Sequence, residues 1–478
     1  MSTIGTSNVI PSTVQQATQQ NYLASNAIYD MRKPVIDPNE AQIWGSGDIT
    51  GLMDKLGGKN YVSSSFYRHF ETTRLHTIIN ATGTTQAALA AVTYTMVSAN
   101  TIPAYPNAVY DPYIATNATV ILLPVRAQDV LIFPGGTNGL GIQGRVDSVD
   151  QSAGTFVVYP LGTTDLPTTI STDNIVNIGA SNVEGGTMPL SMNFRDNVYY
   201  NVTQTMNDVF SDTGTSMAEQ MWVTFTNGGV TGNVWTLKGI ASTHKRFRNF
   251  IELRNVASDP VTNTTTLPNN LYTQTQGLIP FAQSYGNNTT YDIGTGLTLD
   301  DYNNLITDQI DKNKGSVENS QWMGILVREQ IDAFIRTNMQ NGGVQYNALG
   351  GTPKAYVDFG FDSFRQLGYT FHDMTYQLFN DPTLLGGIEA YRNLLIGVPM
   401  GMDIYKLGDE KEKMSVPPLR MNYKKLGGYS REWEEWPTGG ANGVYTNQDD
   451  LRTINMRSEN GIECFGSKNY FTVQGENQ

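Results

Sequence analysis

The residues Gly139-Leu140-Gly141-Ile142-Gln143-Gly144 follow the apolar run Leu131-Ile132-Phe133 with the spacing G-x-G-x-x-G. Glycines in that pattern hold a dinucleotide when they join a strand to a helix, because the pyrophosphate sits on the helix's first amides. Here the chain continues as "RVDSVDQSAGTFVVYPL". Val146, the turn from Asp150 to Gly154 and the run Phe156 to Tyr159 read as a β-hairpin, and Gly154 would break a helix. The glycines are therefore expected to supply tight bends rather than a cofactor cradle.

The four histidines, His69, His76, His244 and His372, stand in no close metal-ligand spacing. His372-Asp373 has two members of a hydrolytic triad, but no G-x-S-x-G elbow accompanies it. The segment "REWEEWPTGG" (431–440) sets Glu432, Glu434 and Glu435 beside Trp433 and Trp436. Carboxylates can act as acid and base on a glycosidic bond, and indoles can stack on sugar. Acids adjacent in sequence, however, seldom face each other across a substrate. The basic residues Lys238, Lys245, Arg246, Arg248 and Arg254 concentrate in one segment, where pairing within an assembly is the expected use. Cys464, the only cysteine, reads as a small buried hydrophobe. No catalytic, cofactor-binding or metal-ligating residue is expected from these patterns, and no cofactor.

The elements around these residues change character along the chain. Residues 1 to about 30 are rich in Ser, Thr and Gln and read as an extended arm. Asp48 to Gly58 reads as a short helix stopped by Gly57-Gly58, and "FYRHFETTRLHTIINATG" as one long strand. From 116 to 192 come short strands between turn signals: "ATVILLPV", "DVLIFPGG", "GIQGRVDSVD", "GTFVVYPLGTT" and "DNIVNIGA". Such spacing predicts a small β-barrel or sandwich.

Helical periodicity follows. Ser216 and Glu219 have capping-box spacing. Leu237, Ile240, Phe247 and Ile251 predict the longest helix over 234–255, ended before Pro260. Thr298 precedes Asp301 by three residues and opens a helix carrying Tyr302, Leu305, Ile306 and Ile310, with Gly315 as its C-cap. "QWMGILV" reads as a strand and "REQIDAFIRTNM" as a helix with Ile331, Phe334 and Ile335 inward. In the last third, Val357, Phe359 and Phe361 alternate, as do Leu419, Met421 and Tyr423. Asn460-Gly461 is a two-residue hairpin signal.

At 478 residues the chain has room for two or three compact units. Its net charge of −13 disfavours nucleic-acid or anionic-membrane binding across the whole surface. One cysteine leaves no internal disulfide and fits a reducing cytosol. No Lys or Arg precedes Arg32, so a secretory leader is not expected. The stretch "AALAAVTYTMVSA" is too short and polar to span a bilayer.

The order of elements resembles the major capsid proteins of tailed bacteriophages with the Hong Kong ninety-seven fold. The likeness rests on "STHKRFRNFIELRNV", similar to that family's spine helix, and on "GLIPFAQSYGNNTTYDIGTGLTLDDYNNLITDQIDKNKG", similar to its axial-domain entry. It rests also on "YVDFGFDSFRQLGYTFHDM", "LLIGVPMG" and "SENGIECFGSKNYF", similar to its closing strands. The insertion at 116–192 departs from the minimal fold and is similar to larger members, including those of crAss-like phages.

The resemblance implies an α+β fold in six parts. These are an N-terminal arm (1–60), a strand and extended-loop region (61–115), the inserted β-rich module (116–192), the extended-loop return with the spine helix (193–270), an axial α/β domain (271–350), and closing axial and peripheral strands (351–478). It also implies self-assembly into hexamers and pentamers of an icosahedral shell, made in the host cytoplasm and carried in the virion. The implied partners are further copies, portal, decoration or auxiliary proteins, and packaged double-stranded DNA met without sequence specificity, with no membrane. Two alternatives remain open: a glycan-depolymerising enzyme using Glu432, Glu434 or Glu435, and another virion protein such as tail tube or sheath.

Overall fold

The computed structural model describes residues 52–71, 76, 79–84, 88–96, 123–136, 139–150, 153–168, 170, 175–182, 184–191, 197–219, 224–227, 230–261, 274–313, 315–341, 363–400, 402–406 and 409–476. The arm expected at 1–30, the alternating residues Val357, Phe359 and Phe361, and most of "ATVILLPV" lie outside them. Three six-stranded sheets organise the described chain, with mixed α and β structure throughout.

The first sheet is built on one 14-residue strand, Leu451–Cys464. It pairs antiparallel with Gln204–Thr213 along one side. On its other side it pairs with Glu434–Gly439 and then with Leu419–Leu426. Gly57–Val62 adds in parallel to Leu419–Leu426. The expected hairpin at Asn460-Gly461 is not formed, because both residues are paired within this strand. Gly461 serves a close approach instead: a Cβ there would lie 2.6 Å from the Tyr67 hydroxyl and 2.7 Å from the Val202 carbonyl.

The longest helix, Val234–Ala257, lies against this sheet. Phe247 is fully buried there with Met206, Ile454 and Met456, and Ile240 and Ile251 pack around them. Its end at Ala257, three residues before Pro260, matches the expected stop. The short helix before it, Gly214–Ala218, is capped by Thr213, whose hydroxyl accepts the Ser216 amide. Glu219 lies past the helix end, so Ser216 and Glu219 form no capping box.

The second sheet runs in the order Asn287–Asp292, Phe471–Glu476, Leu394–Pro399, Glu318–Met323, Tyr369–Thr375, Ser363–Gln366. Thr298 and Asp301 form the expected reciprocal box at the start of the helix Leu299–Asn304. That helix continues as a π-helix, Leu305–Asp311, and the Gly315 amide closes on the Ile310 carbonyl. "QWMGILV" is not one strand. The strand ends at Met323 and the helix Ile325–Asn341 begins after Gly324, where a Cβ would lie 2.2 Å from the Arg392 carbonyl oxygen.

Tyr302, Leu305, Ile306, Val327, Ile331, Phe371 and Phe471 fill one face of this sheet. Phe334 and Ile335 lie outside the described side chains. The opposite face joins Leu278, Trp322, Tyr376 and Ile396 to Leu419, Met421, Ile462 and Cys464 of the first sheet. One core therefore binds the two sheets.

The third sheet orders its strands Ala81–Gly83, Val92–Met96, Thr155–Pro160, Ile142–Asp150, Asp129–Phe133, Val176–Ala180. A bridge between Ile79 and Ile175 joins its two ends. Tyr94 stacks at 4.9 Å on Phe133 and 5.5 Å on Phe156 inside it. The long strand expected over 66–83 is interrupted. Phe66–Glu71 pairs with Asn197–Val202 as a separate two-stranded ribbon, while Ala81–Gly83 belongs to this sheet.

Candidate functional site

Gly139 and Gly141 have φ of +69° and +99°, the left-handed region that favours glycine. A Cβ on Gly141 would lie 2.4 Å from Ile132 Cγ2, and one on Gly144 would lie 2.6 Å from Val158 Cγ1. Ile142–Asp150 then turns back into Thr155–Pro160 as a hairpin. No helix N-terminus follows these glycines, so their task is bending and close packing.

The pleat separates the "REWEEW" acids, since alternate residues of a strand face opposite sides. Glu435 points toward the long helix, with His244 Nε2 3.0 Å from its carboxylate. Trp433 lies on the same side, 5.0 Å from the Phe247 ring. Glu434 faces away and accepts from Arg457 Nε at 2.6 Å. The Arg457 guanidinium covers Trp436 at 4.7 Å. Glu432 accepts from the Tyr61 hydroxyl at 2.9 Å and pairs with Lys59.

Burial favours the neutral form of Glu434, but hydrogen bonds from Tyr429 and Arg457 outweigh it and hold the carboxyl below its usual range. A glycosidic general acid needs the opposite shift. Three acids adjacent in sequence thus serve three different contacts.

His372 and Asp373 are split in the same way. His372 lies 3.0 Å from Glu318, whereas Asp373 is buried toward Arg328 at 3.8 Å. His76 is exposed. In the basic segment, Arg246 makes a two-pronged pair with Asp208 at 2.9 and 2.7 Å. Among the described residues, no group of three or more His, Cys, Asp or Glu could hold a metal ion. No helix among them is long and apolar enough to cross a membrane.

The most concentrated electrostatic site is one the sequence reading missed. His69 Nε2 lies 3.3 Å from Glu71 Oε1, and its Nδ1 lies 3.3 Å from Glu463 Oε1. Glu71 also accepts the Gly466 amide at 2.6 Å, the Ser467 amide at 3.1 Å and the Ser467 hydroxyl at 2.9 Å. Asn422 Nδ2 donates to Glu463 at 3.1 Å. The His69 ring packs 4.5 Å from Phe465, whose other neighbour is the Arg420 guanidinium at 4.6 Å.

Burial opposes charge on all three central groups, and the hydrogen bonds win. His69 is raised by Glu463 and Glu71, Glu71 is lowered by His69 and Ser467, and Glu463 is lowered by His69 and Asn422. The three shifts agree in describing a charged imidazolium between two carboxylates. Beside them Cys464 is buried, and burial pushes its thiol up, away from the reactive thiolate. Tyr67, Tyr199, Phe281 and Ile462 complete the walls of a cavity of about 20 Å³, room for a single water.

A second buried acid ties the long helix to the start of the described chain. Glu252 accepts the amides of Leu52 and Met53 at 3.2 and 3.3 Å, and the Tyr376 hydroxyl donates to the same oxygen. Burial first, and the Glu252 charge second, push the Tyr376 hydroxyl well up. Both acid sites act as clasps between distant parts of the chain.

No family model and no curated protein matches this sequence. Among solved structures, the chain is similar to one from Mycobacterium phage Bobi, at 7% identity and a TM-score of 0.41, covering 95% of this chain and 99% of that one. It is similar to the capsid of a native GTA particle, at 7% identity and a TM-score of 0.37, covering 96% and 99%. It is also similar to the capsid of cyanophage P-SCSP1u, at 11% identity and a TM-score of 0.32, covering 63% and 81%.

Proposed function

We propose that the chain is the structural subunit of a tailed-bacteriophage capsid of the Hong Kong ninety-seven type, self-assembling into hexamers and pentamers of an icosahedral shell around double-stranded DNA. The observation that carries the reading is the order of elements. A 24-residue helix backed by the Gln204–Thr213 and Leu451–Cys464 pair is followed by a helix-covered second sheet that shares its core. That is the succession of spine helix and axial layer that the sequence resemblance implies.

In this reading residues 271–350 form the axial domain, and the long helix with the closing strands forms the peripheral one. Residues 1–60 are the arm, 61–115 and the return after 193 the extended loop, and 116–192 the inserted module of a crAss-like subunit. Apolar side chains support the reading by standing far out of the isolated subunit. Leu140, Met188, Leu190 and Tyr445 are 86%, 86%, 83% and 80% exposed, as expected where neighbours cover them. Many modest contacts summed over a closed shell give stability that one contact cannot. The charge of −13 suits a wall facing packed DNA, since repulsion keeps the cargo from adhering. Portal, decoration or auxiliary proteins are the further partners, and the virion is the destination after assembly in the host cytoplasm.

Light scattering on the eluting full-length protein tests the proposal. The expected result is a species at six times the 52.6 kDa of one chain, or larger closed particles. A monomer at every concentration and salt level would count against it.

A further inference from the structure

The ribbon of Phe66–Glu71 and Asn197–Val202 is a neck. The chain leaves through Glu71 and returns through Asn197, so the third sheet, whose strands all lie between them in sequence, hangs from these two strands. The neck joins neither large sheet by strand pairing. Asn201 exchanges hydrogen bonds with the Gln276 backbone at 3.0 and 2.9 Å, and the neck's other polar attachments gather on residues 462–467. The Tyr67 hydroxyl and Asn201 Nδ2 donate to the Ile462 carbonyl at 2.6 and 2.9 Å, and Glu71 takes the Gly466 and Ser467 amides.

His69 stands at the centre of these attachments with a carboxylate oxygen 3.3 Å from each ring nitrogen. A neutral imidazole has one donor nitrogen and one acceptor nitrogen, so it can satisfy only one of the two carboxylates. Its other nitrogen would turn a lone pair toward a carboxylate oxygen, in a site where the histidine and both acids are mostly enclosed. The doubly protonated ring satisfies both. The geometry thus requires the charged form, and the direction of the His69 shift agrees with it.

We infer that His69 is a protonation-dependent clasp that fastens the neck, and with it the third sheet, to the end of the long strand. This goes beyond the capsid reading and does not depend on it. The other groups around the ring do not share its range. On its own strand are Glu71, Tyr67 and Arg68, the last lying over Phe70. The partner strand presents Tyr199, stacked 5.6 Å from the imidazole. The long strand presents Glu463 and Cys464, and Leu419–Leu426 presents Arg420 and Asn422. The turn after the long strand presents Phe465 and Ser467. The helix Leu278–Tyr285 presents Phe281 and Tyr285, both against Tyr199. The carboxyls are shifted down and the tyrosines Tyr67, Tyr199 and Tyr285 up, as is the Cys464 thiol. Burial lowers Arg420, against the pull of Glu463, from the far alkaline range of a guanidinium. Only the imidazole changes charge near neutrality.

Hydrogen exchange on the full-length chain between pH 5.5 and 8.5, read peptide by peptide and divided by the intrinsic rate at each pH, tests the clasp. Protection over 66–71 and 197–202 should fall as pH rises, by about tenfold for each unit by which the folded imidazole is raised. The strand Leu394–Pro399 serves as the internal reference. His69→Gln should make the neck's protection independent of pH. Glu463→Gln, which keeps the shape but removes one carboxylate, should move the fall to lower pH and decides the matter if His69→Gln does not fold. Neck protection that does not change with pH in the unaltered protein would overturn the inference. So would an unchanged fall in His69→Gln, or an unmoved midpoint in Glu463→Gln.

Discussion

The Glu252 carboxylate, in the last turns of the longest helix, accepts the backbone amide of Leu52 at 3.2 Å across 200 residues of sequence. Both residues are buried, at 4% and 0% exposure. The helix Leu52–Leu56 is too short to hold itself, and its first amides need an acceptor. Glu252 provides it and also holds the Tyr376 hydroxyl. Glu252→Ala should destabilise this junction by about 2–4 kcal/mol, because buried donors lose their partner. Glu252→Gln should cost less. Hydrogen exchange over residues 52–62 reads the effect.

The glycines of the G-x-G-x-x-G string should separate by mechanics. Gly139 has positive φ with open space around its Cβ position, so Gly139→Ala should cost about 1–2 kcal/mol. Gly141 adds a collision with Ile132 to the same strain, so Gly141→Ala should cost about 3 kcal/mol or more. Thermal unfolding of the two variants gives the order. Equal effects would contradict this account of the turn.

Stability should peak on the acid side of neutrality. Burial opposes charge on Glu71, Glu463 and Glu434, yet hydrogen bonds from His69, Ser467, Asn422, Tyr429 and Arg457 hold all three below the ordinary 4.5. Each therefore contributes stability above about 4.5 that is lost as pH falls through its folded value. His69 is raised above 6.5, so its contribution is complete below 6.5 and is lost as pH rises through the folded value. The thermal midpoint measured against pH should be highest between these limits. His69→Gln should remove the decline on the alkaline side while leaving much of the acid decline.

Local signals survived where nothing competed with them. Thr298 with Asp301, the long helix ahead of Pro260 and the hairpin after Gly144 all rest on neighbours close in sequence. Asn460-Gly461 has equally strong hairpin chemistry, but strands on both sides hold it straight and the Tyr67 hydroxyl needs the space. Ser216 and Glu219 lost to Thr213, which stands one residue before the helix and caps it first. The His69 site could not be read at all. Glu71 is two residues away, but Glu463 is nearly four hundred, and only the folded neck brings the three together. The "REWEEW" acids show the converse, since adjacency in sequence placed them on opposite faces of the sheet.

Removing residues 1–25 should leave the folded subunit intact while impairing assembly. The segment is too polar to contribute a core, yet suits ordering against a neighbour. Circular dichroism and the thermal midpoint should match those of the full chain, while particle yield falls. Loss of subunit folding would contradict the role assigned to the arm.

Electron microscopy of the purified full-length protein tests the central claim most directly. The account predicts icosahedral shells, or six-fold capsomers that close into shells as concentration rises. Rods or stacked rings would point to a tail protein instead. A persistently monodisperse monomer that degrades polysaccharide, with the activity lost on Glu434→Gln or Glu435→Gln, would contradict the account outright.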